Sequence, residues 1–456
     1  MKQIDYSIFD RLAEEIGKQS KKAGFDQYEL YYSETNDFSV GVFERELDSY
    51  HVSKSGGFGF RGIREDKAGY AFTETVDADT AKMLVEQAAQ NVSVIESDEH
   101  EVLNKKKDRE VSINTYNEQL EFIPAADKIK LAFELESDML KCGELVKQVE
   151  ESQVTYFSSE ERIFNSYGLD LATKENSIFA IIAPIVRDGD KLNSSYAYRI
   201  TRDFNEINAA ELVNEAYKKA VAKNGASPVR TGKYPIVFNN EAMASILGTF
   251  WDMLSAYQVQ KDLSLLKNKL GEQIASKVFS LIDDPFMIGK FGSRPFDSEG
   301  VTGKRLDVIK NGVLNSYLYN LKTAKVDGVQ STGHGIKDGY ASSVRTVPSN
   351  LYIEPGTISQ EQLLKDVGNG LLITELAGLH SGANSVTGDF SLSATGFLIE
   401  DGGIGMPVNQ ITVSGNYLEM IARIVAVADD LKFMLPSGGC FGCPSVFAGE
   451  MNISGK

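Results

Sequence analysis

The chain has 456 residues, 42% hydrophobic and 24% charged. That composition excludes a disordered or fibrous protein, and the length exceeds the roughly 250–300 residues that one core fills, so two packed units are expected. Asp and Glu outnumber Lys and Arg by 64 to 47, a net charge of −17, which repels phosphate backbones and argues against direct nucleic-acid binding. No run is apolar and long enough to span a bilayer, and Cys142, Cys440 and Cys443 are too few for a disulfide framework, so a cytoplasmic setting is expected.

The N-terminal segment MKQIDYSIFDRLAEEIGKQSKK reads as an amphipathic helix rather than a signal peptide. YELYYSE and FSVGVFERELDSYHVSKSGGFGFRGIRE alternate apolar and polar residues, the pattern of half-buried antiparallel strands. A helix follows over DADTAKMLVEQAAQNV, capped by Asp77 or Asp79, with Leu84, Ala88 and Val92 on one face. The polar 97–110 stretch reads as a solvated connection. A second cycle starts at the helix AADKIKLAFELESDMLKCG, passes through long strands, and ends in the helix NAAELVNEAYKKAVAKNGA at Gly225. The prolines and glycine of SPVRTGKYP place a domain boundary there, giving units 1–225 and 226–456.

Past that boundary, Met243, Ile246, Leu247, Phe250, Trp251 and Leu254 make one apolar helical stripe. Short β segments with glycine turns follow. Asn311-Gly312 signals a type I′ hairpin, and Ser359 with Gln362 matches a capping box. Helices and strands segregate in blocks, so the fold class is α+β, with a β-rich second domain.

Short motifs carry little chemistry. Gly57–Gly62 fits G-x-G-x-x-G but continues into strand instead of opening a helix, so it reads as strand glycines relieving crowding. Cys440-Phe441-Gly442-Cys443 lacks a second pair and reads as buried reduced thiols. Among four histidines, His334 and His380 lie in small-residue loops where a ligand could approach. In LHSGANSVTGDFSLSATGFLIEDGG, Gly382, Gly388 and Gly396 are expected to supply unusual backbone angles near a central cleft. Ser381 and Asn384 suit turn hydrogen bonds, and Asp389 suits a cap or a bond to backbone amides. His334, His380, Ser381, Asn384 and Asp389 are the candidate cleft residues.

The blocks SGANSVTGDFSLSATGFLIEDGGIGMPVNQITVSGN, DSEGVTGKRLDVIKNGVLNSYLYN, STGHG, PSNLYIEPG and CPSVFAGEMNISGK together resemble the PmbA/TldD family, also described as putative modulators of DNA gyrase. The resemblance implies a cytoplasmic metallopeptidase built from two kinds of chain and acting on peptides and unfolded polypeptides. One kind, TldD, carries H-E-x-x-x-H on a helix, where two imidazoles hold zinc and a carboxylate serves as general base. Matched to that motif, this chain has Ala244 and Ser245 at the His-Glu pair and Thr249 at the second His. It therefore resembles the PmbA/TldE branch. No metal is expected in this chain, zinc is expected in a TldD-type partner, and the assembly is a heterodimer or a homodimer. The alternatives are an autonomous peptidase using His334, His380 and the cysteine pair, and a protein-binding modulator without enzymatic role.

Overall fold

In the computed structural model, the residues described are 6–94, 100–105, 111–436 and 438–456. The first half repeats one order twice, helix, antiparallel meander, helix. Helix α1 (Tyr6–Lys22) precedes strands β1 (Gln27–Phe43), β2 (Glu46–Arg64) and β3 (Lys67–Thr73) and helix α2 (Thr80–Val94). After a one-turn helix α3 (Glu118–Glu121) come α4 (Ala125–Met139), β4 (Val146–Asn165), β5 (Asp170–Asp188), β6 (Lys191–Ser194), β7 (Ala197–Thr201) and α5 (Ala209–Val221). All seven strands form a single sheet in the order β3-β2-β1-β4-β5-β6, with β7 also on β5. The β1–β4 pairing, Glu29 opposite Asn165 through Gly41 opposite Gln153, joins the two cycles.

Strand alternation gives this sheet two different faces. The even-numbered face packs on the helices: Leu30, Tyr32, Phe58 and Phe60 against α1 and α2, and Phe38, Val40, Val154, Tyr156, Ile178 and Ala180 against α4 and α5. The stripe of α2 is buried as its spacing predicts, with Leu84 and Ala88 at 0% exposure. Asp77 accepts from the Asp79 amide and from Thr80 Oγ1 at 2.9 and 3.0 Å, organising the turn ahead of that helix.

The odd-numbered face carries Glu29, Tyr31, Arg61, Glu161 and Glu175, and the second half of the chain covers it. Gly59 lies in β2, where a Cβ would stand 2.1 Å from the Tyr340 carbonyl oxygen. The G-x-G-x-x-G stretch is thus a strand segment that lets another backbone approach. The 97–110 stretch departs from a solvated connection where it is described. Leu103 and Asn104 are buried, Asn104 donates to the Gly300 carbonyl at 2.8 Å, and Glu101 pairs with Lys322 at 2.8 Å; residues 95–99 and 106–110 lie outside the described residues.

Gly225, at φ +80, turns the chain out of the segment after α5, and β8 (Gly232–Phe238) leads into helix α6 (Asn240–Phe250). Next come β9 (Leu281–Asp283), β10 (Leu306–Lys310), β11 (Val313–Leu314), β12 (Gly335–Ile336), β13 (Arg345–Thr346) and β14 (Asn350–Ile353). The last strands are β15 (Gly370–Ala377), β16 (Asp389–Glu400), β17 (Gly403–Asn416), β18 (Ala426–Val427), β19 (Lys432–Phe433), β20 (Cys440–Cys443) and β21 (Val446–Ser454). They build two six-stranded sheets, β17-β16-β15-β8-β21-β18 and β11-β10-β9-β14-β20-β19, plus the β12-β13 pair. One core takes residues from both large sheets and from α6, which is sandwiched between them. Its stripe continues past Phe250 in a 3₁₀ turn that buries Leu254. The Asn311-Gly312 turn has φ +49 and +82 and closes the β10–β11 hairpin, as that dipeptide predicts. Ser359 caps helix Gln360–Val367, but the Gln362 side chain turns to Asp366 at 2.8 Å instead of completing a capping box. The architecture is mixed α+β, and among the described residues no helix is long and apolar enough to cross a membrane.

The halves meet through a buried ion cluster. Glu29 accepts from Arg61 at 3.3 Å on the neighbouring strand and from Lys337 at 2.5 Å across the junction, with all three side chains at most 5% exposed. Removing one partner from a buried cluster costs about 3–5 kcal/mol, because a charge is left uncompensated. Lys337→Ala is therefore expected to lower the thermal midpoint sharply, and Glu29→Gln with Lys337→Met to recover part of the loss. An unchanged midpoint for Lys337→Ala would show that Arg61 alone satisfies Glu29.

Candidate functional site

Helix α6 places the residues matched to H-E-x-x-x-H. Asn239 caps it by accepting from the Ala242 amide at 2.8 Å. Ala244 is 2% exposed and packs in the core between the two sheets. Ser245 Oγ donates to the Glu241 carbonyl at 3.0 Å, and Thr249 Oγ1 to the Ser245 carbonyl at 2.8 Å, so both hydroxyls are engaged by their own helix. A methyl group and two hydroxyls committed in this way do not fit a zinc ion. Among the described residues, no three His, Cys, Asp or Glu side chains converge as a metal-holding group.

At the head of α6, Glu241 accepts from Lys219 of α5 at 3.0 Å and from Lys432 of β19 at 2.6 Å. The segment after β19 then walls a cleft between the halves. Leu435 and Pro436, with Phe157, Phe179, Ile200 and Phe291, line an apolar groove of about 310 Å³. Glu175 and Phe291 also line the next compartment, a polar pocket of about 170 Å³ that holds Glu161, Arg294, Ser159, Thr173 and Ser298. Thr115, Thr173, Pro295 and Phe296 continue into a third compartment of about 710 Å³ beside residues 111–116 and 169–174.

The register of β4 and β5 puts the two glutamates together. Ser159 pairs with Glu175 and Glu161 with Thr173, so all four side chains share the sheet face that looks toward Arg294. Burial pushes Glu161 up to about 7, reinforced by Glu175 and opposed by the Tyr31 phenol, Lys337 and Arg294. Burial likewise raises Glu175, against Ser159, Arg202 and Arg294. Arg294 gives one nitrogen to the Val347 carbonyl at 3.1 Å, while its Nε is shut off from solvent without a protein partner.

The residues singled out in the sequence do not gather here. His334 is 2% exposed and bonds Asp283 at 3.0 Å and Thr332 at 2.7 Å. Asp283 also accepts the amide and hydroxyl of Ser349. Burial opposes ionisation of Asp283, yet His334, Ser349 and Arg294 hold it below the ordinary aspartate range. The carboxylate stands between the imidazole and the hydroxyl, so His334 does not bond Ser349, and the trio braces β9 against the 331–349 segment.

His380, Ser381, Asn384 and Asp389 lie exposed on the β15–β16 connection. Asn384 accepts from the amides of Val386 and Thr387 at 2.9 and 3.3 Å, and Asp389 accepts from the Asn416 side-chain amide at 3.0 Å. Asp389 therefore bonds a side chain where backbone amides were expected. Of the three glycines, Gly388 has φ +78, whereas Gly382 and Gly396 permit close approach, with a Cβ 2.4 Å from the Ser391 oxygen and 1.9 Å from the Leu372 oxygen. Cys440 and Cys443 are free and buried, and burial raises both thiols, so neither is a ready nucleophile.

Residues 28–92 match the family model described as PmbA/TldA metallopeptidase domain 1, residues 118–224 its central domain and residues 231–455 its C-terminal domain. A Haemophilus influenzae protein named Metalloprotease PmbA homolog is 27% identical over 94% of this chain and 92% of its own length. The Escherichia coli O157:H7 Metalloprotease PmbA is also 27% identical, over 94% of this chain and 93% of its own. A solved Thermotoga maritima structure, described as a putative modulator of a DNA gyrase, superposes with a TM-score of 0.90 at 31% identity, covering 98% of this chain and all of that one. TldE from Thermococcus kodakarensis shares the fold, with a TM-score of 0.87 at 22% identity over 97% of this chain and 100% of its own.

The Glu161 carboxyl sets a pH dependence. Its value of about 7 exceeds the ordinary 4.5, so the folded protein holds this proton more tightly than the unfolded chain does. Folding is penalised as pH rises through that window, and the penalty is complete above it. Glu161→Gln is expected to raise the thermal midpoint by several degrees at about pH 8 and to leave it little changed at about pH 5. Equal midpoints at both pH values would show that Glu161 is ionised without cost.

Proposed function

Since the chain belongs to the PmbA/TldD metallopeptidase family, we propose that it is a non-catalytic subunit, pairing with a TldD-type H-E-x-x-x-H chain that supplies zinc. The pair would act on peptides and unfolded polypeptides. The observation that carries this reading is the contrast at α6: the family's three regions are all present, while the motif positions hold Ala244, Ser245 and Thr249 with their hydroxyls bonded to helix carbonyls.

The chain's own contribution is to shape the chamber and hold substrate. Between Asp170 and Thr173, β5 pairs with β4 on one side, and its other edge has no strand partner among the described residues; further along, Thr115 bonds that edge at Lys174 and Asn176, and the pairing with β7 starts at Ile178. The 710 Å³ compartment borders this stretch. A peptide laid along that edge gains main-chain hydrogen bonds with little sequence preference, which suits unfolded substrates.

The test uses this chain, a TldD-type partner and their mixture, with an unfolded polypeptide as substrate. Chelator-sensitive cleavage is expected in the mixture, at least tenfold above the partner alone, with none from this chain by itself. Equal cleavage by this chain alone, or no complex at micromolar concentrations, would overturn the subunit reading.

A further inference from the structure

Glu161 and Glu175 face one pocket, where Arg294, shared with Asp283 and Asp297, is the cation among the lining residues. Lys337 and Arg202 act on the two carboxylates from outside that lining. Within the lining of this pocket, carboxylates outnumber cations two to one. Its other lining groups include the hydroxyls of Ser159, Thr173 and Ser298. A compact cation with several N–H donors satisfies such a ring of acceptors better than water does, because a charge-assisted hydrogen bond is about twice as strong as a neutral one.

Three features indicate how that cation arrives. The pocket holds about 170 Å³, enough for an aliphatic ammonium. It shares Glu175 and Phe291 with the groove walled by Phe179 and Leu435, and Thr173 and Phe296 with the compartment along β5. A chain can thus pass over it while one group enters. Arg294, a lining residue of this pocket, keeps its Nε buried without a protein partner, so the guanidinium is not fully engaged by the fold.

We propose that the Glu161–Glu175 pocket recognises the primary ammonium of a bound peptide, from a lysine side chain or the peptide N-terminus, with an apolar neighbour seated in the Phe179–Leu435 groove. The proposal rests on the peptide-binding reading above and gives it a selectivity. Glu161 and Glu175 accept from the ammonium, and Lys337 stays with Glu29.

The experiment measures binding to the full-length chain by fluorescence anisotropy at low salt. Three unstructured peptides differ only in their amines: N-acetylated with one lysine, N-acetylated with norleucine there, and norleucine with a free N-terminus. A parallel arm titrates n-butylammonium chloride, with butanol as control, and follows the thermal midpoint. An ammonium-bearing peptide is expected to bind about tenfold more tightly than the acetylated norleucine peptide, and whichever of the two does so identifies the source. In Glu161→Gln/Glu175→Gln, a shape-conserving variant whose folding is checked by circular dichroism, the preference should fall below about twofold. Equal binding of all three peptides with no response to n-butylammonium overturns the ammonium site and leaves peptide holding intact. A response to n-butylammonium without peptide binding keeps the site and overturns the peptide reading. A preference that survives in the folded double variant also overturns the proposal.

Discussion

A carboxylate taken out of water must be met by cations, and Glu29 is the place where this chain is committed to that requirement. One partner, Arg61, comes from the neighbouring strand, and the other, Lys337, from more than 300 residues further along. The N-terminal sheet cannot satisfy its odd-numbered face alone. Leaving Glu29 and Arg61 beneath apolar cover without Lys337 would strand charge in a low dielectric, so the two halves are complementary faces of one junction. The cleft is what remains of that junction where the cover stands off from the sheet.

Helix α6 is held by its packing. The sandwich needs a helix with an apolar surface between two sheets, and Met243, Ala244, Ile246, Leu247 and Phe250 provide it. Ser245 and Thr249 are only partly buried, and their hydroxyls bond the helix's own carbonyls. The placement of the helix therefore depends on its apolar residues and not on those two hydroxyls.

Much of the architecture is legible in local pattern. The stripes of α2 and α6, the two-cycle order of the first half and the Asn311-Gly312 hairpin each depend on neighbours close in sequence. The cleft was not legible, because Glu161, Glu175 and Arg294 read as ordinary solvent-facing charges in a strand and a loop. What makes them a site is the segment 291–298 laid across β4 and β5, a contact between residues over 100 positions apart. Alternation puts Ser159 and Glu161 on one face of β4 and Thr173 and Glu175 on one face of β5, but the even neighbours Ser158, Glu160, Lys174 and Asn176 offer no apolar contrast that would mark that face. His334 lies away from the cleft for the complementary reason: the small residues around it reflect tight packing in the interior.

The seat of Tyr340 on Gly59 carries a mechanical meaning. Along the same face of β2, the odd positions are Ser55, Gly57, Gly59 and Arg61, and only the middle two lack side chains. A Cβ at Gly57 would already stand 2.8 Å from the Tyr340 ring, and one at Gly59 2.1 Å from its backbone oxygen. The arrangement works as a key in a slot. Translating the upper half along the strand in either direction drives Tyr340 into Ser55 or Arg61, so the slot fixes the register of the cover on the sheet. Lifting is opposed by different contacts, the Tyr340 amide bonded to Ser33 and Lys337 bonded to Glu29, so the cleft's alignment over β4 and β5 is set by shape and its closure by polar contacts.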